Sequence, residues 1–492
     1  MKYLNDAGGR YKLPLKNDDG KTLCTLLWGD PLQELAREGT GTAERVKVRA
    51  RKRTGWVPAS AVSDTGLLEI YVIDVGQGDG VLMRTPHDDA WHMIDAGIRA
   101  SEQMTRKGAA NFVRWKFIDD LQRDRVSFRN MIVTHPDADH YGGMIDLLSG
   151  LLPDGRTFGI EVQDFWHCGI GRFKDGDKLG ALRNDTSQTP LPHASPAPKA
   201  EARFIVELLD GKTHFGRPKR PFATDFGALA KLVGKLPKKV SSLSQAEGWL
   251  PGYAPAPGAA SIRVLGPVHE KLAGGGKGLR WLGSDSVTRN GHSVVLRVDY
   301  GQARLLLTGD LNTASQRLLL ACQPAEEFSA DMAKGCHHGS DDIDLRFVRA
   351  MAARATVISS GDNEDYAHPR PRVMGASARY GRESLDADGE AMPPLLYSTE
   401  LARSVGLDFA THARTVAEPK QPFAPAALEV DFDASPDGRY RRLAFMPMAT
   451  DLVYGLVNVR TDGRHVLCAT MKEGSSDFDL QVFQAGVDAA VP

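Results

Sequence analysis

Cysteine is scarce in this chain. Only Cys24, Cys168, Cys322, Cys336 and Cys468 occur in 492 residues, scattered and never as a CxxC pair. That argues against a disulfide framework or a cysteine-built zinc site and favours a reducing compartment. Charge of one sign is lacking as well. The 61 Lys+Arg stand against 62 Asp+Glu, a formal net charge of -1. A uniformly basic nucleic-acid coat is thereby excluded, but a local basic surface is not. No run approaches about 18 uninterrupted apolar residues, so no transmembrane helix and no membrane partner are expected. The opening MKYLNDAGGRYKLPLK has no apolar core of the signal-peptide kind. No repeat at a solenoid period is visible. These absences predict a soluble, cytoplasmic protein. What is present is globular in texture: 42% hydrophobic and 25% charged residues argue against wholesale disorder. The length suggests roughly three domains, enough to bury a large core without cross-links.

Three regions differ in texture. Residues 1–65 carry short β-like runs (TLCTLLWG, ERVKVRAR, TGWVPASAV) separated by turn residues. With Trp28-Gly29-Asp30 near the first strand and Gly55-Trp56-Val57-Pro58 near the last, this unit resembles a bacterial SH3-like barrel. Arg49, Arg51, Lys52 and Arg53 suit a tether to peptide, glycan or nucleic acid, a protein or ligand contact, or simply a solvated face of a packed accessory barrel. Residues 66–390 read as α/β: strands such as LLEIYVIDVG, AWHMIDAG and RNMIVTHPDADH end in polar loops that lead into helices. Active sites of α/β proteins sit at such strand ends. An insertion at about 171–257 breaks the rhythm with the Pro/Ala-rich stretches TPLPHASPAPKA and GYAPAPGAA. Between them, residues 212–239 hold Lys212, Arg217, Lys219, Arg220, Lys231, Lys235, Lys238 and Lys239 against only Asp225, with Phe215, Phe222 and Phe226 interleaved. This is either a phosphate-tracking surface with stacking platforms or a solvated helical insertion. Residues 391–492 are β-rich, with a hairpin turn at Thr461-Asp462-Gly463. They form either extra strands of the main domain or a small separate unit.

The most informative stretch is Thr134-His135-Pro136-Asp137-Ala138-Asp139-His140-Tyr141-Gly142-Gly143. Four ligand-type side chains fall within six positions on a loop after a strand. His135 and Asp137 can turn one way and Asp139 and His140 the other, which suits two metal ions rather than one. Imidazole and carboxylate donors suit Zn²⁺ or Mn²⁺. Downstream, Asp310 stands at the strand end LLLTGD, where it could bridge both ions, and KGCHHGS supplies the adjacent His337 and His338. A lone histidine or aspartate would ordinarily be structural; three such segments at strand ends of one α/β texture point jointly to a metal centre.

Residues 67–382 resemble the metallo-β-lactamase fold and, more narrowly, the soluble hydrolase domain of ComEC-type DNA-uptake proteins. The resemblance rests on YVIDVGQGDGVLM, HMIDAG, THPDADHYGG, HSVVLRVDYGQARLLLTGD, KGCHHGS and YAHPRPRV, in that order. It implies an αββα sandwich with a dinuclear site at one edge of two facing sheets. By matching positions, His135 and Asp137 would serve the first metal and Asp139 and His140 the second. Asp310 would bridge them, His337 and His338 would close the two sites, and Asp95 would orient ligands from behind. Fold members commonly carry His-x-His-x-Asp-His; here position 137 is Asp, as in the ComEC-like subgroup, a harder ligand set that leaves Zn²⁺ and Mn²⁺ both open. The usual isolated third histidine is not evident. His167, in DFWHCG, is either that ligand or a packed neighbour of Trp166.

Two such metals would activate a water for in-line attack on phosphorus. Asp139 would orient it, and His368, in Tyr366-Ala367-His368-Pro369, would donate a proton to the leaving group or hold a phosphate, unless it is only a loop histidine near the mouth. The expectation is a phosphodiesterase or nuclease on DNA, single strands favoured, with the 212–239 cations as counter-charge. The alternative is hydrolysis of a small phosphodiester such as a phosphorylcholine ester or cyclic nucleotide. A non-catalytic binding module fits the intact ligand set less well, and nothing beyond the fold points to β-lactams.

Overall fold

The computed structural model describes residues 1–103, 105–185, 202–361, 368–400, 455–472 and 475–486, and the backbone of 410–415, 428–431 and 441–446. Two mixed sheets face each other. The larger has nine strands. Leu68–Val72, Gly80–Thr85 and Ala90–Ala96 form an antiparallel meander, which Arg125–Val133, Gly159–His167 and Lys239–Ser242 continue in parallel. On the other flank Val457–Thr461, His465–Met471 and Phe478–Gln484 extend it antiparallel. The smaller sheet runs Ser261–Gly266, Val295–Tyr300, Ala303–Leu307, Met332–Lys334, Ala355–Ile358, Leu395–Ser398.

Period-two alternation sorts each strand between two cores. Leu68, Ile70 and Val72 point into the layer between the sheets, where they meet Leu296, Val298, Leu305 and Leu307 of the facing sheet. Tyr71 and Ile73 point outward to helices Ala109–Arg114, Ala138–Ser149 and Thr224–Val233. In the smaller sheet Val295 and Leu306 pack outward against Thr313–Cys322, Leu345–Met351 and Pro371–Tyr380. Sheets covered on both faces read as continuous apolar runs, and IYVIDV and RLLLTG do. The result is the expected αββα sandwich, the metallo-β-lactamase fold.

In the C-terminal region Val457–Thr461 pairs with Leu68–Val72 and Leu395–Ser398 pairs with Ala355–Ile358, so these strands complete the main domain's sheets. Residues 402–453 form a compact unit of their own, in which Ala410–Thr415 pairs with Leu428–Asp431 and Arg441–Met446. The insertion is likewise built in: Phe226, Leu229, Ala230 and Val233 of its helix are buried in the outer core, and Lys239–Ser242 is a sheet edge. The stretch TPLPHASPAPKA lies outside the described residues. Among the described residues, no helix is long and apolar enough to cross a membrane.

The N-terminal strands, from Lys2–Leu4 to Val62–Ser63, form a seven-stranded antiparallel sheet around Leu4, Leu15, Leu26, Val46, Val48 and Val57. It does not stand apart. Asp30 is buried between Arg51, at 2.6 Å, and Arg460 of the nine-stranded sheet, at 2.8 Å. Burial disfavours this carboxylate, but the two guanidinium groups outweigh it and hold Asp30 well below the usual carboxylate range. Arg49 donates to the Asp119 carbonyl at 3.1 Å, and Lys52 lies 3.6 Å from the Asp119 carboxylate. Of Arg49, Arg51, Lys52 and Arg53, the first three thus face the main domain. Replacing Asp30 by Ala strands two buried cations, and a loss of about 3–5 kcal/mol is expected. Denaturant unfolding checks it; a loss under about 1 kcal/mol, the worth of an exposed pair, would contradict it.

Candidate metal centre

The site lies where strand ends of both sheets meet. Arg125–Val133 delivers Thr134 and His135, and the first turn of Ala138–Ser149 delivers Asp139 and His140. Asp95 ends Ala90–Ala96, and Asp79 sits in the glycine turn before Gly80–Thr85. From the facing sheet come Asp310, just beyond Ala303–Leu307, and His337 and His338 after Met332–Lys334. The backbone is packed tightly here. A Cβ at Gly78 would lie 1.6 Å from the Asp139 carbonyl oxygen, and one at Gly143 would lie 2.0 Å from that of Ala96. Glycine is therefore required where the turn and the helix start press together. His337 and His338 both take left-handed backbone, φ 45° and 52°. Such strain costs on the order of 1–3 kcal/mol per residue and is held by the surrounding structure.

At the centre, the Asp310 carboxylate lies 3.0 Å from His338 Nε2 and 3.2 Å from His140 Nε2. The two imidazole nitrogens are themselves 3.3 Å apart. Asp139 Oδ2 is 3.6 Å from His338 Nε2. Donors held about 2.0–2.2 Å from one ion lie roughly 3.0–3.5 Å from each other, so this cluster has the spacing of a metal site. Asp79, His140, Asp310 and His338 offer four buried donors within 4.8 Å of one another. His135 Nε2 and Asp310 Oδ1 are buried without hydrogen-bond partners, and groups so placed call for a further ligand. The residues present fit divalent metal.

Each central imidazole is fixed from behind. His140 Nδ1 meets Asp95 at 2.8 Å, and Asp95 in turn accepts from the Thr134 amide and hydroxyl at 2.7 and 2.6 Å. His338 Nδ1 lies 3.1 Å from both Asp79 Oδ1 and the Ser359 carbonyl. Asp79 is paired at 2.5 Å with Lys334, whose ammonium also donates to the Gly309 and Gly335 carbonyls. Because Asp79 approaches the Nδ1 side and is neutralised by Lys334, we assign it to orienting His338 rather than to binding metal, as carboxylate–histidine pairs do.

Charge in this cluster is mutual. Burial pushes His338 down, but Asp310 and Asp79 overcome it and raise the ring to about 10. Burial likewise opposes charge on His140, and Asp310 and Asp95 hold it well above the ordinary histidine value. Burial would raise Asp310, but His140, His338 and His337 hold it well below the carboxylate range.

His135 Nε2 is 3.6 Å from Asp137 Oδ2 and 3.9 Å from Asp310. The other Asp137 oxygen is ion-paired with Arg289 Nε, and Arg172 stands 3.9 Å away. Burial opposes charge on Asp137, but His135 and Arg289 keep it well below the usual range. Asn290, with its amide oriented to satisfy both ends, donates to Asp137 Oδ2 at 2.9 Å. His337 Nε2 lies 3.7 Å from Asp310, and its ring is 6.2 Å from that of His368. Burial lowers His368 to about 4; Tyr366 and Ala367 lie outside the described residues. His167 is packed: its Nδ1 accepts from the Gly169 amide at 3.0 Å, its ring meets Phe215 edge-on, and burial lowers it to about 3.

All seven expected ligand-type residues and Asp95 therefore converge. Sequence reasoning left Asp79, Lys334, Arg289 and Asn290 unassigned. Asp79 and Lys334 had signals, an acid inside the GQGDG turn and a lysine ending an apolar strand beside CHHGS. Arg289 and Asn290 had none.

The insertion's cations divide. Lys212 donates to the Lys235 and Pro237 carbonyls, Arg220 pairs with Glu207 at 2.7 Å, Lys238 pairs with Glu161 at 2.8 Å, and Lys239 lies over Trp166. Arg217, Lys219, Lys231 and Lys235 are exposed and make no side-chain ion pair among the described residues. Lys212, Arg217, Lys231, Lys235 and Phe222 line an open groove of about 890 Å³. The expected stacking platforms are corrected in part: Phe215 and Phe226 are buried in the outer core, and only Phe222 is part-exposed. The rings pack against one another and the outer core instead.

Residues 73–153, which hold Asp79, Asp95 and the 135–140 loop, match the Metallo-beta-lactamase superfamily model. ComE operon protein 3 of Bacillus subtilis (strain 168) is 30% identical over 105 residues, 21% of this chain and 13% of that protein. Competence protein ComA of Neisseria gonorrhoeae is 35% identical over 104 residues, 21% of this chain and 15% of that protein. The chain thus matches only a small part of the length of these curated relatives. Among solved structures, Tm1679, described as a metal-dependent hydrolase of the beta-lactamase superfamily, is 13% identical. It covers 68% of this chain and 96% of its own, with a TM-score of 0.31. The chain has the metallo-β-lactamase fold, and the segment that matches the superfamily model contains the 135–140 loop.

The raised histidines dictate how the metal-free protein responds to pH. A group whose folded-state value lies above its unfolded one, here His338 at about 10 against 6.5, stabilises fully below 6.5 and loses that contribution as pH rises through 10. The chelated protein should therefore melt at progressively lower temperature between these limits, and added metal, which displaces the same protons, should flatten the dependence. A melting temperature that rises with pH over this window would contradict the charge assignment.

Proposed function

We propose that this chain is a metal-dependent phosphodiesterase acting on DNA, with single strands favoured. The observation that carries the reading is the buried His140–Asp310–His338 cluster with its convergent donors. The competence-protein relatives and the exposed cations of the insertion support a polyanionic substrate.

Two bound divalent ions would supply a hydroxide at neutral pH and neutralise charge on the attacked phosphate. His135, Asp137 and Asp310 would hold one; Asp139, His140, Asp310 and His338 would hold the other, and His337 stands beside them. Asp139 is the ligand-type carboxylate most open to solvent, 27% exposed against 3% for Asp310, so it is the one suited to orient an attacking water. His368 is neutral at pH 7, since burial lowers it to about 4. It therefore serves as a hydrogen-bonding partner to phosphate rather than as a standing cation. Asp79 with Lys334 and Asp95 with Thr134 keep the two imidazoles aimed inward. Zn²⁺ and Mn²⁺ both suit this donor set.

Arg217, Lys219, Lys231 and Lys235 supply counter-charge for a phosphate backbone, and with most of the aromatics withdrawn into the core their contribution is chiefly electrostatic. Neutralising Arg217, Lys231 and Lys235 together should weaken single-stranded DNA binding and flatten its salt slope by about 2, at about 0.7 per phosphate contact. Turnover of a soluble diester such as bis(p-nitrophenyl) phosphate should not change. Equal loss on both substrates, or no loss on DNA, would move the reading to a small phosphodiester.

A further inference from the structure

We infer that the two halves of the centre hold metal unequally, and that Arg289 sets the difference. The half built on His140, Asp310 and His338 fills first, and the half built on His135 and Asp137 fills later and more weakly. The inference rests on the metal-dependent reading above and adds an order of loading to it.

The two halves differ in three ways. Donor spacing is the first: the tighter half has Nε2 and carboxylate atoms 3.0–3.3 Å apart, whereas His135 Nε2 is 3.6 Å from Asp137 and 3.9 Å from Asp310. Preorganisation is the second. His140 Nδ1 is held by the Asp95 carboxylate, itself anchored by Thr134, and His338 Nδ1 is held by the Ser359 carbonyl with the Asp79 carboxylate beside it at 3.1 Å. His135 Nδ1 has only hydroxyl neighbours, Thr134 at 3.1 Å and Ser293 at 3.3 Å.

Local charge is the third and largest difference. Asp137 already holds Arg289 on one oxygen and has Arg172 at 3.9 Å, while the Asn290 amide reaches its other oxygen. A divalent ion entering beside Asp137 meets a carboxylate whose charge is compensated, with a guanidinium at short range. No arginine pairs with Asp139 or Asp310 among the described residues. Lys334, the cation nearest the tighter half, is spent on Asp79 behind His338. Arg289 comes from the short helix Asp285–Gly291, just before the strand Val295–Tyr300, so it is carried by the main domain itself.

Titration of the metal-free full chain with Mn²⁺, followed by calorimetry and electron paramagnetic resonance, tests this directly. One ion per chain should bind at least about tenfold more tightly than the second. The spectrum should be that of isolated Mn²⁺ at one equivalent and become spin-coupled only towards two. Arg289→Met should tighten the second site several-fold and leave the first unchanged, which also reports an intact fold. Asp137→Asn should remove the weak site alone, so the order of filling remains testable if the arginine variant does not fold. Two ions binding together in the unaltered chain would overturn the inference. So would an Arg289→Met variant whose second site weakens or does not change, because the arginine would then only orient Asp137. Absence of any Mn²⁺ or Zn²⁺ binding would instead overturn the metal-dependent reading itself.

Discussion

One carboxylate, Asp310, draws two imidazoles from opposite sheets to within 3.2 Å of the same oxygen. His140, Asp310 and His338 are all buried, so the three titratable groups meet away from solvent. His140 belongs to the helix entered from the nine-stranded sheet; Asp310 and His338 belong to the six-stranded one. The contact exists only if the apolar layer between the sheets holds them in register. That layer, Leu68, Ile70 and Val72 against Leu296, Val298 and Leu305, is thus the foundation of the site as well as of the fold. Like groups packed this closely repel unless a proton or a metal ion joins them, so the site is built to exchange one for the other.

Support for the cluster comes in concentric polar layers rather than from packing alone. Asp95 and Asp79 face the outer nitrogens of the imidazoles, and Thr134 and Lys334 face those carboxylates in turn. A buried lysine against a buried aspartate is costly to assemble and more costly to break. Farther out, the same device joins the N-terminal strands to the sheet, with Asp30 between Arg51 and Arg460. The strand carrying Arg460 pairs with the opening strand of the main domain, Leu68–Val72, so residues nearly 400 positions apart along the chain share one sheet.

Much of this was legible in the sequence, for identifiable reasons. Continuous apolar runs announce sheets covered on both faces, and ligand-type residues within six positions after a strand announce a metal loop. Asp310 and the 337–338 pair are readable because strand ends in α/β folds face a common edge. Partnerships made only in three dimensions are not readable: Lys334 shows as one cation among 61 Lys+Arg until Asp79 is seen opposite it. Arg289 and Asn290 carry no local pattern at all. The insertion misled in part because aromatics interleaved with cations suit a stacking face and a core face equally, and burial decides between them. The place of the last strands was open because pairing order in a sheet is not a local property of sequence.

Cleavage of end-labelled single-stranded DNA by the full chain with Mn²⁺ or Zn²⁺ tests the central claim most directly, with the chelated protein and Asp139→Ala as controls. The account predicts metal-dependent shortening that is absent from both. Shortening that persists after chelation or in Asp139→Ala would contradict it, as would intact DNA in the presence of protein that demonstrably holds its metal.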